Sequence, residues 1–345
     1  VRVLLIMNPN STSQTDGLFR RIIPALRSVP GLRLRGVFTH HAGHAEEICR
    51  GLTRADWDLV LAVGGDGTVN EVINGLLGPA GADTPSPQSL PAVAVIPTGS
   101  ANVFARALGF PSEPVAATTM LVQLLREDLR RTIYLGTWND RWFAVNAGFG
   151  IDADVIARVD EARRLGFAAT PLRYLNAATM VWIRARRTPP RIDVVGTDAA
   201  GQRLNLSELP LFVASNTNPW TFLGPLPVVT NPRNSFELGL GLFGLTDTSG
   251  VRGILSMLHL VGFGHRPVIE DWLEKRTVQF DDVTQVTLSC PTKARFQADG
   301  EYVGEFQRAD LASHADALEV FAPREAYPVS SRTWRRVLRD FIRVH

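Results

Sequence analysis

Leu59-Val60-Leu61-Ala62-Val63, then Gly64-Gly65-Asp66-Gly67-Thr68-Val69-Asn70-Glu71 and a helical pattern ending near Leu77, is the stretch that decides the fold. An apolar run, a glycine loop and a helix in that order build a phosphate cradle. Glycines let the backbone turn tightly and approach a ligand closely, and the free amides at the helix start attract anions. Asp66 is the informative residue, because a carboxylate inside such a cradle repels a polyphosphate unless a divalent cation or an incoming hydroxyl lies between them. The competing reading is a tight turn with Asp66 as helix N-cap.

Working outward, the first part alternates short apolar runs with helical patterns. The runs are Val1 to Met7, Leu32 to Thr39, Leu59 to Val63 and Ala92 to Ile96, with helical patterns at Leu18 to Arg27, Ala45 to Thr53, Val69 to Leu77, Asn102 to Leu108 and Val115 to Arg126. This rhythm predicts a doubly wound parallel sheet, in which ligands sit outside the carboxyl ends of the strands. The chemically unusual residues follow those ends: Asn8-Pro9-Asn10, Thr39, the glycine loop, and Pro97-Thr98-Gly99-Ser100. Four loops are thus expected to share one crevice.

After about residue 132 the texture changes to short strand candidates separated by Gly, Asn, Pro and Asp. They are Ile133 to Thr137, Trp142 to Ala147, Arg191 to Val195, Leu211 to Ser215, Leu238 to Phe243, Thr277 to Phe280, Gln285 to Ser289, Ala294 to Ala298 and Ala317 to Phe321. The expected fold class is an α/β doubly wound N-terminal nucleotide-binding domain plus a mainly β sandwich C-terminal domain. Expected boundaries are 1–132, 133–322, and a helical tail at 323–345 that packs on the first domain. Helical patterns at Ala153 to Arg164, Tyr174 to Arg187 and Val251 to Phe263 interrupt the strands, with core packing favoured over an acyl-chain cleft. In the tail, Trp334, Val337, Leu338, Phe341 and Ile342 lie at helical spacing opposite five arginines, a pattern that fits either an anionic membrane or a docked helix.

Composition excludes several classes. A formal net charge of +2 over 345 residues argues against a nucleic-acid partner. Cys49 and Cys290 lack metal or redox spacing and read as inert thiols of a reducing compartment. No signal-peptide pattern opens the sequence, and no apolar run reaches the ~18 residues of a membrane span. A cytoplasmic protein without a transmembrane segment, at most peripheral at the inner membrane face, is expected. His40, His41 and His44 are read as a polar loop and helix start, because no nearby Cys or Asp completes a ligand set. Trp220 is read as packing, with a lipid entrance as the alternative.

The motifs taken together resemble the bacterial diacylglycerol kinase-like lipid kinases, relatives of sphingosine and ceramide kinases. They are NPNS (8 to 11), Thr39 with Gly43-His44-Ala45, GGDGTVNEVINGL (64 to 76), IPTGSANVFARALGFP (96 to 111), VNAGFGIDADV (145 to 155) and QADGE (297 to 301). The resemblance implies ATP-dependent phosphorylation of a lipid hydroxyl at the membrane surface, with diacylglycerol as the expected acceptor and Mg2+ as the metal. It implies nucleotide contacts at Asn8, Pro9, Asn10, Thr39, Gly64, Gly65, Asp66, Gly67, Thr68, Asn70, Glu71, Thr98, Gly99 and Ser100, with Asp66 beside the metal. It further implies that a carboxylate of Asp299-Gly300-Glu301 accepts the lipid hydroxyl proton. Local sequence alone reads that Asp-Gly as a hairpin turn, and a turn can present a carboxylate.

Three departures bear on the transfer. Val103 and Tyr134 stand where many relatives carry Asp, and a structural magnesium segment reads Phe236-Glu237-Leu238-Gly239, so that second metal site is expected to be weakened or absent. An NAD kinase, which shares GGDGT, and a lipid-binding pseudokinase remain the alternatives. A homodimer also stays open.

Overall fold

A computed structural model describes residues 1–9, 11, 16–164, 176–177, 180–181, 189–223, 226–246 and 277–324. Asn10, most of the expected helix from Tyr174 to Arg187, the helix at Val251 to Phe263 and the arginine-rich tail lie outside the described residues. The chain forms two compact units, Val1–Ala144 joined by a segment returning at His314, and a second that begins at Val145 and runs to Ser313.

The first unit is built on β1 (Arg2–Met7), β2 (Arg33–Phe38), β3 (Leu59–Gly64) and β4 (Ala92–Pro97). They pair in parallel in the order β4-β3-β1-β2. Every residue of β3 and β4 is buried, as interior parallel strands covered on both faces require, whereas β2 at the edge exposes Arg33, Arg35 and Phe38. Helices α1 (Asp16–Arg27), α2 (His44–Cys49), α3 (Asp66–Leu77), α4 (Val103–Ala107) and α5 (Pro114–Glu127) alternate with these strands. Strand order reverses direction between β1 and β3, the switch point at which such sheets open a ligand crevice.

The first unit runs past residue 132 because the hairpin of β5 (Arg130–Trp138) and β6 (Arg141–Phe143) belongs to it. The Trp142 amide donates to Asn74 Oδ1 at 3.0 Å and its indole donates to the Gly78 carbonyl at 2.8 Å. Arg141 pairs with Glu46 at 2.7 Å. The candidate strand Trp142 to Ala147 is therefore two strands meeting at the boundary.

The second unit contains β7 (Asn146–Gly150), α6 (Ile151–Arg164), β8 (Ile192–Asp198), β9 (Arg203–Leu209), β10 (Leu211–Ser215), the short pair β11 (Thr221–Leu223) and β12 (Leu226–Val228), β13 (Leu240–Leu245), β14 (Thr277–Ala298) and β15 (Glu301–Phe321). The pairings within this unit are antiparallel. Three candidate strands between Thr277 and Ala298 are one long bulged strand, β14, which pairs with β13 near one end and β7 at the other. β10 links β7 to β13, so β7, β10, β13 and β14 form a closed circuit of antiparallel pairings rather than the expected two-sheet sandwich. Its core includes Ile151, Val181, Leu211, Val213, Phe243 and Leu245, with Trp220 packed against it.

Ala317 to Phe321, expected in the second domain, returns to the first unit. There Val320 lies beside Val93 in parallel, and Glu319 bridges Arg54 and Arg130. Sequence periodicity shows a strand but not which sheet receives it.

Candidate active site

The parallel register aligns the strand ends, with Met7 opposite Phe38 and Val63, and Gly64 opposite Pro97. Asn8, Thr39, Gly65-Asp66 and Thr98 consequently emerge at one edge, as the loop positions predict. Asn8 Nδ2 donates to Thr68 Oγ1 at 3.3 Å across the switch point. Thr98, fully buried, shares a 2.7 Å hydrogen bond with Ser11, the last residue of the NPNS motif. Thr39 is buried, and its amide donates to the Met7 carbonyl at 2.8 Å. Pro9 and Ser100 are exposed on the same loops.

Gly65 and Gly99 pack backbone to backbone. A Cβ on Gly99 would lie 2.6 Å from Gly65 Cα, a clash no side-chain motion relieves. This close approach joins the β3 and β4 loops. Asn102, in the left-handed region at φ 50°, locks it by accepting from the Gly99 amide at 2.9 Å and donating to the Gly99 carbonyl at 2.7 Å.

Gly65 is the N-cap of α3 and Asp66 its first helical residue, so Asp66 does not cap its own helix. Its carboxylate turns to α4 instead, where the amides of Val103 and Phe104 donate to Oδ2 and Oδ1 at 3.0 and 2.9 Å. Loss of water raises the Asp66 pKa above the usual carboxylate range, opposed by the Phe104 and Val103 amides, by the charge of Arg106 and by its own amide. Arg106 is the cation beside this carboxylate. It sits within a quoted motif, yet spacing alone did not show its proximity.

Other expected nucleotide contacts have different commitments. Glu71 accepts from the Gly43 and Ala45 amides at 2.7 and 3.0 Å, tying α3 to the start of α2. Asn70 Nδ2 donates to the Trp142 carbonyl at 3.0 Å. Both side chains thereby brace the first unit.

In the second unit, Ala298 pairs with Glu301 across Asp299-Gly300, a two-residue turn whose φ angles of 49° and 77° are both positive, the type I′ requirement. Asp299 is buried, and its Oδ1 accepts from the Val145 and Asn146 amides at 2.8 and 3.1 Å. Glu301 follows as the exposed carboxylate. The turn reading and the carboxylate-presenting reading thus coexist.

Glu237 is exposed, and two acidic groups of β14 have partners: Asp281 pairs with Arg233 at 2.7 Å, and Asp282 accepts from the Gly239 amide at 2.7 Å. Among the described residues one group has metal-ligand proximity, His41, His44 and Glu47, whose ligand atoms lie within 4.8 Å of one another. Glu47 is the member that sequence reading did not connect. His44 Nδ1 accepts from the His40 amide at 3.1 Å, which keeps the neutral ring's proton on Nε2 and weakens its capacity as a ligand.

Comparison with known proteins places this geometry. The diacylglycerol kinase catalytic domain family matches residues 2–141, which span the glycine loop, the Asp66 contacts and β5. The chain carries a lipid kinase catalytic domain. A diacylglycerol kinase from Staphylococcus haemolyticus (strain JCSC1435) is 25% identical over 329 residues, covering 94% of this chain and 88% of that protein. A diacylglycerol kinase from Staphylococcus aureus (strain Newman) is 26% identical over 330 residues, covering 94% and 93%. In fold, the crystal structure of a diacylglycerol kinase from Bacillus anthracis str. Sterne matches with a TM-score of 0.65 over 94% of this chain and 97% of that one, at 18% identity.

A kinase of this kind uses a nucleotide and typically a divalent metal, and this chain's residues fit both. The Gly65–Gly99 contact lets the β3 and β4 loop backbones approach at the start of α3, where main-chain N–H groups favour an anion. Asp66 offers one half-buried carboxylate oriented by two amides, enough for a metal that takes its remaining ligands from phosphate and water. No described helix is long and apolar enough to cross a membrane.

Proposed function

We propose that the protein transfers the γ-phosphoryl group of ATP to the hydroxyl of diacylglycerol, giving phosphatidic acid. The observation that carries this reading is the Asp66 carboxylate, fixed by two α4 amides at the end of a glycine cradle on the β1/β3 switch point. Phosphoryl transfer demands positioning and charge neutralisation more than a nucleophilic side chain. Mg2+, when bound, would neutralise the phosphate oxygens. Asp66 orients the metal side, Arg106 adds positive charge beside it, and Ser11, Thr39, Thr68 and Thr98 supply hydroxyls suited to phosphate oxygens.

Glu301 is the proposed proton acceptor. Asp299 is buried and has one oxygen committed to two backbone amides, whereas Glu301 is exposed on the same turn. The lipid acceptor calls for work at a membrane surface, which suits a cytoplasmic protein that binds the bilayer peripherally.

Incubation of the protein with labelled ATP, Mg2+ and a panel of diacylglycerol, sphingosine, monoacylglycerol and NAD tests the reading. Label in phosphatidic acid is expected. Label in NAD alone, or in no acceptor under any metal condition, overturns it in favour of an NAD kinase or a lipid-binding pseudokinase.

A further inference from the structure

A buried carboxylate in the second unit has no place in the account so far. Asp152, in the first turn of α6, is 8% exposed, and its Oδ2 accepts from Gln297 Nε2 at 2.7 Å. The fold makes room for it. Gly148 on β7 lies opposite Gln297 on β14, and a Cβ there would fall 1.7 Å from Asp152 Oδ2. Only glycine lets the carboxylate rest against the strand.

Gln297 is fully engaged. Its Nε2 donates also to Asn146 Oδ1 at 2.8 Å, and its Oε1 accepts from the Gly300 amide at 3.0 Å. Two acceptors on one side and one donor on the other fix which way the amide faces; a flipped Gln297 would set its Nε2 against the Gly300 N–H. Gly300 is the second residue of the turn that presents Glu301. Asn146 closes the circuit, since its amide donates to Asp299 Oδ1 and its carbonyl accepts from the Asp299 amide at 2.8 Å.

We infer that Asp152 is a positioning residue for the transfer reaction: through Gln297 it fixes the Asp299-Gly300 turn and hence the placement of the Glu301 carboxylate. The inference rests on the proposed role of Glu301. A buried, desolvated carboxylate whose sole work were packing would be better replaced by an apolar side chain. Here it instead selects one orientation of an amide that reaches the turn. Asp160 of α6 acts beside it, accepting from the Tyr302 amide at 3.1 Å, so one helix holds the turn on both flanks.

The test is steady-state kinetics of full-length Asp152→Ala, Asp152→Asn, Gln297→Met and Glu301→Gln with ATP, Mg2+ and dispersed diacylglycerol. Asp152→Ala and Gln297→Met should each lower kcat on the order of 10-fold or more, because misplacement of a reacting group near 1 Å costs up to roughly 100-fold. KM for ATP and for lipid should stay within about twofold, and Asp152→Asn, which keeps an acceptor for Gln297, should recover most of kcat. The double variant should be no worse than either single one, since both cut the same link.

If Asp152→Ala does not fold, Gln297→Met carries the comparison. Wild-type kcat in Asp152→Ala or Gln297→Met while Glu301→Gln is inactive overturns the inference and leaves the base assignment standing. Asp152→Asn as impaired as Asp152→Ala also overturns it. Wild-type kcat in Glu301→Gln overturns the base assignment, and this inference falls with it.

Discussion

The carboxylate of Asp66 accepts the backbone amides of both Val103 and Phe104, at 3.0 and 2.9 Å, so the acidic residue of the glycine loop is held by the start of the helix after the next strand. The arrangement accounts for Val103. Val103, where the resemblance leads one to expect Asp, contributes its main chain to Asp66, and its side chain is apolar and buried. The β3 and β4 loops are thereby one rigid piece.

Replacing Gly99 tests that rigidity. The Cβ of Gly99→Ala must displace the Gly65 backbone, so the variant should lose roughly 1–3 kcal/mol of stability from overpacking. It should also raise KM for ATP by more than it lowers kcat. Chemical denaturation and ATP-dependent kinetics measure the two, and a variant unchanged in both would show that the loops do not need their contact.

Asp152 makes stability depend on pH. Burial pushes its pKa up to about 7 from an ordinary 3.8, opposed by the hydrogen bond from Gln297. The folded state therefore binds a proton that the unfolded chain has released between about pH 4 and 7. The contribution to stability is greatest on the acid side and is lost as pH rises through 7, a swing on the order of a few kcal/mol. Urea titrations should show wild-type stability declining across this window relative to Asp152→Asn. Parallel profiles for the two proteins would be inconsistent with the raised pKa.

Glu319 fastens the returning end of β15. Its carboxylate lies between Arg54 and Arg130, all three side chains between 22% and 30% exposed. Removing it leaves Arg54 without its carboxylate partner and Arg130 with Asp128 alone, and Glu319→Ala should cost about 1–2 kcal/mol after allowance for solvent screening. The loss should shrink in high salt. Differential scanning calorimetry at two ionic strengths reads it, and an unchanged melting temperature would mean that strand pairing alone holds the segment.

The sequence carried the first unit's plan clearly because its information is local. Five-residue apolar runs, a glycine loop and following helical spacing need no distant partner to be recognised, and β1, β3, α3 and β4 lie close to where they were expected. The Asp299-Gly300 turn was legible for the same reason. The features that local sequence does not reveal depend on pairing between distant segments. Asp152 becomes a buried hydrogen-bond partner only once β7 lies against β14 and Gly148 faces Gln297. Asn70 and Glu71 sit in a motif that suggests ligand contact, yet the approach of β6 and α2 gives them structural partners. Likewise, the destination of Ala317 to Phe321 follows from the open edge of β4, which no periodicity in the strand itself records.

The most direct measurement is the rate of phosphatidic acid formation from ATP, Mg2+ and dispersed diacylglycerol by the wild-type protein and Asp66→Asn. The variant keeps shape but loses the charge, and its side-chain NH2 opposes one of the two α4 amides, so a stability loss of about 1–3 kcal/mol is expected alongside the kinetic effect. With the fold verified by circular dichroism, wild type should form product in a metal-dependent reaction, and Asp66→Asn should be slower on the order of 10²- to 10³-fold. A folded Asp66→Asn that forms phosphatidic acid at the wild-type rate would contradict the account.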